Sequence, residues 1–193
     1  MVDGDPAPVE TKLVAGEYVC PCCCGRLRPW GFARRRRLRD RGGEVEVRPR
    51  RSRCASCLVT HVLLPTLALL RRRDVAEVIG EALMARFVGG CSRAKVAEAA
   101  RVRPQTARRW CDRFVLRAEV IRAAFTGLAH DLDASLGPIV AQGSPAANAL
   151  EAIGVAGAAA AGRWGPTRLW WFVAGASGGM LLANTRCDLP PPA

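Results

Sequence analysis

Residues 92–114, SRAKVAEAARVRPQTARRWCDRF, predict two short helices joined by a tight turn. Apolar residues recur at helical spacing on both sides of that turn. They are Val96, Ala97 and Ala100 in the first helix and Ala107, Trp110 and Phe114 in the second. Pro104 suits the first position of the second helix, because no N–H is needed there and its fixed φ already fits a helix. We therefore expect the chain to be organised around a pair of packed helices.

The second helix of this pair has a polar and basic outer face. Its outward residues are Gln105, Thr106, Arg108, Arg109 and Arg113. The DNA major groove accepts such a helix, because Arg and Gln make bidentate contacts to guanine and adenine edges. The expected base contacts are Gln105 and Arg109, with Arg108 beside them. The expected phosphate contacts are Arg93, Arg103 and Thr106. An ordinary helical hairpin with a solvated basic face is the alternative.

The helical pair resembles the helix-turn-helix of bacterial repressors, resolvases and transposases, whose usual pattern is I-A-x-x-L-G-V-S-x-x-T-V-x-R-W. The matching residues are Val96, Ala97, Ala100, Val102, Thr106, Ala107, Arg109 and Trp110. Arg101 occupies the turn position that is usually Gly, and Arg103 occupies the position of the usual Ser cap. A side chain at a left-handed turn position costs about 1 kcal/mol, so these departures bear on the sharpness of the turn.

Cysteines occur in two CxxC pairs, Cys20 with Cys23 and Cys54 with Cys57, on either side of a Gly-containing segment. That layout is typical of a zinc ribbon, in which each pair lies on a tight turn, or knuckle, and the four thiolates converge tetrahedrally. We therefore predict one zinc ion bound by these four residues.

Further cysteines and a histidine lie outside the predicted ligand set. Cys22 would point away from the zinc ion, and Cys24 follows the first knuckle at a place often held by Gly. His61 could replace one thiolate, although four cysteines already suffice. Buried or incidental thiols are the alternative to a metal site. The remaining cysteines, which we interpret as small apolar residues, are Cys91, Cys111 and Cys187.

Short strands are predicted between and after the cysteine pairs. Residues 30–38 and 44–48 would flank a turn at residues 41–43, and residues 58–64 would leave the second knuckle. Such a small sheet has little core, so the metal would supply much of its folding energy. The basic run 34–37 is either a solvated strand or turn, or a β-ribbon that lies on phosphates.

The segments VCPCCCGRLRPWG and RPRRSRCASCLVTHVLLP resemble the zinc-ribbon ends of insertion-sequence transposases. In those proteins a CPxCG knuckle, an RRxRCxxC knuckle and a helix-turn-helix follow one another. Here the two modules cover roughly residues 18–116. The whole chain also resembles a group of uncharacterised short bacterial proteins with the same front, a resemblance that implies a fold and no function.

Amphipathic helices are predicted on both sides of the helical pair. Residues 74–88 carry one apolar stripe, with Asp74 and Glu77 as a capping box. The stripe of the second helix of the pair continues to Leu132. A stripe this long must pack against the C-terminal part or, in a homodimer formed through helix 107–132, against a second copy of the chain.

The expected fold class is α+β: a small N-terminal β zinc ribbon, a mainly helical helix-turn-helix domain with an extended helix, and an Ala/Gly-rich C-terminal region. The expected boundaries are a disordered lead-in at residues 1–16, the ribbon at 17–65, the helical domain at 66–136 and the C-terminal region at 137–193, which ends in a Pro tail. In the last region, Ser144 would cap an Ala-rich helix that begins at Pro145.

Positive charge is concentrated in the front of the chain. The formal net charge is +12, and residues 1–117 hold 25 of the 29 Lys and Arg residues but 12 of the 17 acidic ones. A basic front predicts a polyanionic partner, and double-stranded DNA is the default. The start of the chain lacks the apolar core of a signal peptide, and no apolar run reaches the ~20 residues that span a bilayer. We expect a cytoplasmic, nucleoid-associated protein with no membrane partner, in which a metal site is favoured over disulfides.

Catalytic residues are not recognisable in the sequence. Transposases cut DNA with three carboxylates that hold two metal ions. The acidic residues after residue 117 are Glu119, Asp131, Asp133, Glu151 and Asp188. They form no such pattern, so we expect no enzyme activity. The expected function is a zinc-containing, sequence-specific DNA-binding protein, transposase-like without a catalytic domain, acting as a transcription regulator or a mobile-element remnant. The alternative is a DNA-binding subunit of a transposase or recombinase that acts with a separate catalytic chain.

Overall fold

The computed structural model describes Val2 and residues 6–183 of the chain. Within that part, five strands form two antiparallel sheets beside six helices, which confirms the mixed α+β class. The strands are β1 (Leu27–Phe32), β2 (Arg36–Asp40), β3 (Gly43–Val47), β4 (Arg50–Cys54) and β5 (Thr60–Leu63). The helices are α1 (Pro6–Ala15), α2 (Ala76–Phe87), α3 (Arg93–Ala99), α4 (Pro104–Leu132), α5 (Pro145–Trp164) and α6 (Leu169–Ala176). None of the helices in this described part combines the length and apolar character that a membrane span requires. The predicted Pro tail and Cys187 lie outside the described residues.

A three-stranded sheet in the order β1-β4-β5 forms the ribbon, and β2 and β3 form a separate hairpin. The single strand predicted at residues 30–38 is wrong, because β1 ends at Phe32 and the chain leaves the sheet before β2 begins at Arg36. The sequence pattern does not predict β4, because its inward residues are the small Ser52 and Cys54 instead of large apolar ones.

Residues 6–15 form helix α1, so the predicted disordered lead-in is wrong for this segment. Val9 and Leu13 lie four residues apart on one face of the helix and are buried against the ribbon in a small apolar core. The carboxylate of Glu10 forms an ion pair with Arg50 of β4. The Pro, Gly and acidic content of residues 1–16 suggests disorder, but one apolar pair and one ion pair dock residues 6–15 on the ribbon.

The apolar stripe of α4 is buried within the same chain, mainly against α5 and also against α2 and α3. Its buried members are Trp110, Phe114, Ala118, Ile121, Phe125 and Leu128. The buried residues of α5 are mostly alanines, which let the two helices approach closely. The hydroxyl of Ser144 accepts from the N–H of Ala147 at 3.2 Å and caps α5 as predicted. The stripe therefore finds its partner within the chain, and the alternative of a homodimer through helix 107–132 is not needed to bury it.

Helix α6 closes the helical core against α2. The ring of Trp170 is buried and lies directly on Gly80, where even a Cβ atom would overlap it. Gly157 of α5 makes a similar contact with Leu169 at the start of α6. Missing side chains at these two glycines let three helices share one core.

The β2–β3 hairpin packs on the helices. Leu38 of β2 is buried in the helical core. The guanidinium of Arg39 lies 2.9 Å from the buried carboxylate of Asp74, and the Arg39 N–H donates to the Arg73 carbonyl at 2.7 Å. Burial raises the pKa of Asp74, and Arg39 opposes that rise. Asp74 therefore fixes the hairpin and does not cap α2. The residue that precedes α2 is Val75, which provides no side-chain cap, so the predicted capping box is wrong.

Candidate functional site

The four predicted cysteine ligands come together beside the ribbon sheet. Cys20 and Cys23 lie in the turn before β1, while Cys54 ends β4 and Cys57 lies in the turn that follows. Leu27 of β1 pairs with Cys54, which places both turns at the same end of the sheet. The four Sγ atoms all lie within 4.8 Å of one another. These four residues can therefore hold a metal ion.

The spacing of the thiols fits tetrahedral coordination. The Sγ atoms of Cys23 and Cys54 are 3.4 Å apart, and those of Cys20 and Cys57 are 3.7 Å apart. Four thiolates bound tetrahedrally to zinc at about 2.3 Å lie about 3.8 Å from one another. Tetrahedral sulfur sets are typical of zinc and of iron. The distances are therefore compatible with either metal.

Backbone N–H groups point at the two buried thiols. The N–H of Cys22 donates to Cys20 Sγ at 3.4 Å, and those of Ser56 and Cys57 donate to Cys54 Sγ at 3.3 and 3.5 Å. The pKa of Cys54 is lowered to about 6. The hydrogen bond from the Cys57 N–H is the largest cause, and burial opposes it. For Cys20 the strongest single influence is burial, which raises the pKa of the thiol, but the hydrogen bonds to its sulfur together outweigh burial and lower that pKa. Both thiols thus ionise more readily than an ordinary cysteine thiol, and the thiolate is the form that binds a metal.

The residue after each CxxC knuckle has a left-handed backbone. Cys24 has a φ of 57° and Leu58 a φ of 62°. A side chain in this conformation costs about 1 kcal/mol relative to glycine. The left-handed backbone at Cys24 can be predicted from the sequence, because Cys24 occupies the position that is Gly in the usual CxxCG pattern. Leu58 directly follows the second pair and could have been identified by the same rule.

Gly25 brings the first knuckle against the second. A Cβ atom at this position would lie 2.5 Å from Ser56 Oγ and 3.0 Å from Cys54 Sγ. The Gly25 carbonyl also accepts from the N–H of Cys20 at 2.7 Å. The missing side chain at Gly25 therefore lets the two pairs of cysteines meet.

Cys22 and His61 lie next to the four-cysteine set. Cys22 is exposed, and it forms a second group with Cys20 and His61 whose possible ligand atoms also lie within 4.8 Å of one another. The Nε2 atom of His61 is 3.3 Å from Cys20 Sγ. At this distance His61 can form a hydrogen bond with the sulfur of Cys20, one of the four predicted ligands. A site in which His61 replaces one of the thiolates stays an alternative.

Two other cysteines lie in the helical part of the chain. Cys111 is buried and Cys91 is partly buried. Burial raises the pKa of Cys111, so its thiol stays protonated at neutral pH. Both positions agree with their interpretation as small apolar residues.

A tight turn joins α3 to α4. Arg101 has a φ of 52°, the left-handed conformation that glycine usually supplies, and its N–H donates to the carbonyl of Glu98 at 2.9 Å. Pro104 is the first residue of α4, as predicted. Arg103 precedes it without a side-chain capping hydrogen bond. Arg101 therefore adopts the left-handed turn conformation although it is not a glycine.

The candidate DNA-contacting residues lie on the outer surface of this helical pair. The exposed ones are Arg93, Arg103, Gln105, Arg108 and Arg109, and the partly buried ones are Thr106 and Arg113. Asp112 shares this surface, and its carboxylate lies 3.0 Å from Arg93 and 3.4 Å from Arg108. The other exposed members have no ion pair within the described part of the chain. Asp112 was not among the residues expected on this surface, although Arg108 precedes it by four residues at the spacing of a helical ion pair.

Residues 20–110, a little under half of the chain, match a protein family described as a domain of unknown function (DUF6431). The match begins at the first metal-site cysteine and ends at Trp110 of α4, so it covers the ribbon, the hairpin and most of the helical pair. This agrees with the expected resemblance to an uncharacterised domain and provides no link to transposases. No curated protein and no solved structure matches the chain.

Replacement of a ligand thiol should release the metal, whereas replacement of its exposed neighbour should not. We expect Cys23→Ser to lose most of its metal and Cys22→Ser to keep it, since only the former belongs to the four-cysteine set. Elemental analysis of the purified variants gives the metal content per chain. Full metal content in Cys23→Ser, or loss only in Cys22→Ser, would show that the first ligand pair is assigned wrongly.

Gly25→Ala should weaken metal binding, because the added methyl group pushes Ser56 and Cys54 away from their positions. Gly42→Ala in the hairpin turn is the matched control, since nothing lies within 4 Å of a Cβ atom there. Overpacking costs roughly 1–3 kcal/mol, so we expect the Kd for the metal to rise about ten-fold or more in Gly25→Ala. Competition with a chromophoric chelator measures that Kd. Equal values for both variants would contradict a close approach of the two knuckles.

Proposed function

We propose that this chain is a zinc-containing, sequence-specific DNA-binding protein that inserts the first turns of α4 into the major groove. One observation carries the proposal: Gln105 and Arg109 are exposed one turn apart at the start of a helix whose opposite side is fixed in the core. Arg and Gln make paired hydrogen bonds to guanine and adenine edges. A rigidly mounted helix can hold those two side chains in register with the base pairs.

The connection between α3 and α4 supports this orientation. Helix α3 packs on its neighbours through Val96 and Ala97, and the left-handed backbone at Arg101 keeps the connection short. In a helix-turn-helix the first helix crosses the DNA backbone and the second enters the groove. Exposed Arg93 and Arg103 begin or precede these two helices, where phosphates would pass.

Asp112 modulates the charge of the proposed DNA surface. It pairs with Arg93 and Arg108, and about half of each pair's side-chain surface or more is exposed. Exposed ion pairs contribute about 1 kcal/mol or less, so a DNA phosphate can displace the carboxylate. The proposed base contacts are Gln105 and Arg109, with Arg108 beside them. The proposed phosphate contacts are Arg93, Arg103 and Thr106, with Arg113 at the edge.

The metal in this proposal is a structural zinc ion. Four thiolates close the coordination shell and leave no position for a reactive water molecule. The ion would join the turn before β1 to the end of β4 and so stabilise a sheet with little apolar core. Zinc is preferred to iron because paired CxxC knuckles on a small sheet are the layout of a zinc ribbon.

The proposed biological role is based on the order of the two modules along the chain. A ribbon followed by a helix-turn-helix supports a transposase-like DNA-binding protein, either a regulator or a mobile-element remnant. That the chain itself lacks catalytic activity stays a prediction. The alternative of a subunit that acts with a separate catalytic chain rests on the same sequence resemblance.

Substitutions on the α4 surface should separate base contacts from phosphate contacts. On a duplex site selected from a random pool, Arg109→Ala should cost about 1–3 kcal/mol and reduce the ratio of specific to non-specific affinity. Arg93→Ala should weaken all duplexes alike and lower the salt slope by about one unit. Binding titrations on the selected and a scrambled duplex, over a range of salt concentrations, measure both effects.

Arg163→Ala is the control for simple loss of charge, because this exposed arginine lies at the far end of α5. We expect it to leave the affinity ratio unchanged. If the ratio of specific to non-specific affinity were unchanged in both Arg109→Ala and Gln105→Ala, α4 would not be the helix that contacts the bases.

A further inference from the structure

The ribbon sheet has one covered face and one open face. Leu27, Ser52 and Cys54 are buried on the covered face. Residues that alternate with them point to the opposite side. Strand register places Arg28 opposite Arg53, Arg53 opposite Thr60, and Arg51 opposite Val62. The strand register shifts after Pro29, but the contact of the Trp30 ring with the Arg53 guanidinium places Trp30 on this same side. We term this surface the outer ribbon face. Its members are Arg28, Trp30, Arg51, Arg53, Thr60 and Val62.

Trp30 is the largest apolar side chain on the outer ribbon face. It is 50% exposed, and the Arg53 guanidinium lies 4.7 Å from its ring centroid. A cation over an aromatic ring is attracted to it, so Arg53 holds the indole in place before any partner binds. A side chain ordered in advance loses less conformational entropy on binding. The exposed half of the indole is therefore a preformed stacking surface.

Charge on the outer ribbon face is wholly positive. Its six positions include three arginines and no acidic residue. Neither Arg28 nor Arg51 has an ion pair with any residue that the structure describes. In the neighbouring hairpin, by contrast, Arg35 pairs with Glu46 at 2.9 Å. The unpaired arginines beside a half-exposed indole complement a partner that carries both phosphates and flat aromatic rings.

We propose that the outer ribbon face binds single-stranded nucleic acid, with an unpaired base stacked on Trp30 and the backbone phosphates on Arg28 and Arg51. A duplex hides the faces of its bases within the stack, so only a single strand can use the exposed indole. Base stacking on aromatic residues beside a basic groove is a general mode of single-strand binding. The surface shares no residue with the α4 surface, so the two activities are separable.

Trp30→Ala should weaken binding of fluorescein-labelled oligo(dT) to the metal-loaded full chain by about 5-fold to 100-fold, the range for loss of one stacked base. Trp30→Phe keeps an aromatic ring and should retain most of the affinity. Trp164→Ala is the matched control, because Trp164 is 60% exposed but lies at the end of α5. It should bind oligo(dT) as the unmodified chain does. Fluorescence anisotropy measures all four proteins, and oligo(U) in parallel distinguishes RNA from DNA.

Two further measurements keep the proposal testable if Trp30→Ala loses its metal. Oligo(dT) should quench intrinsic tryptophan fluorescence in the unmodified chain and much less in Trp30→Phe. The double variant Arg28→Ala/Arg51→Ala should lower the salt slope by about 0.7 for each phosphate that it no longer neutralises. Equal oligo(dT) affinity in Trp30→Ala and Trp164→Ala would overturn the proposal. So would competition by random duplex or polyglutamate that equals competition by oligo(dT).

Discussion

The four cysteine thiols have to meet at one point. This requirement determines how the two knuckle turns lie against each other at one end of the ribbon sheet. Among the residues that the structure describes, seven are buried in the ribbon core, and two of them, Cys20 and Cys54, are members of the four-cysteine set. So small an apolar core contributes little stability by itself. The left-handed backbones at Cys24 and Leu58 add a cost that the thiol cluster must offset. A metal ion at this point would therefore supply folding energy as well as geometry.

The hairpin links the thiol cluster to the proposed DNA-binding helix. It leaves the ribbon after Phe32, buries Leu38 in the helical core and returns to the ribbon at Arg50. The ion pair between Arg39 and Asp74 fixes it beside α2. Helix α5 covers the other side of α4. The hairpin is therefore packed with the helices, whereas the ribbon keeps an apolar core of its own.

Local features of the sequence predicted local features of the structure. The CxxC spacing identified the four-cysteine set, Pro104 marked the start of α4, and Ser144 marked the cap of α5. Long-range contacts were missed. A buried carboxylate at Asp74 could not be recognised before its partner on a distant strand was known. The same holds for helix α1, because its two buried apolar residues, Val9 and Leu13, could not be recognised as core residues before the ribbon was known. The long apolar stripe of α4 predicted that this helix packs against another surface, but the sequence could not show that the surface is mainly α5 of the same chain.

X-ray absorption spectroscopy at the zinc edge of the purified full chain can check the four-cysteine site without any substitution, because it counts the ligand atoms around the metal. The account predicts one zinc ion with four sulfur neighbours at about 2.3 Å. A nitrogen or oxygen neighbour at about 2.0–2.1 Å in place of one sulfur would contradict the four-cysteine site and implicate His61, whose Nε2 atom lies 3.3 Å from Cys20 Sγ. Iron in place of zinc, or no bound metal, would contradict the account at its foundation.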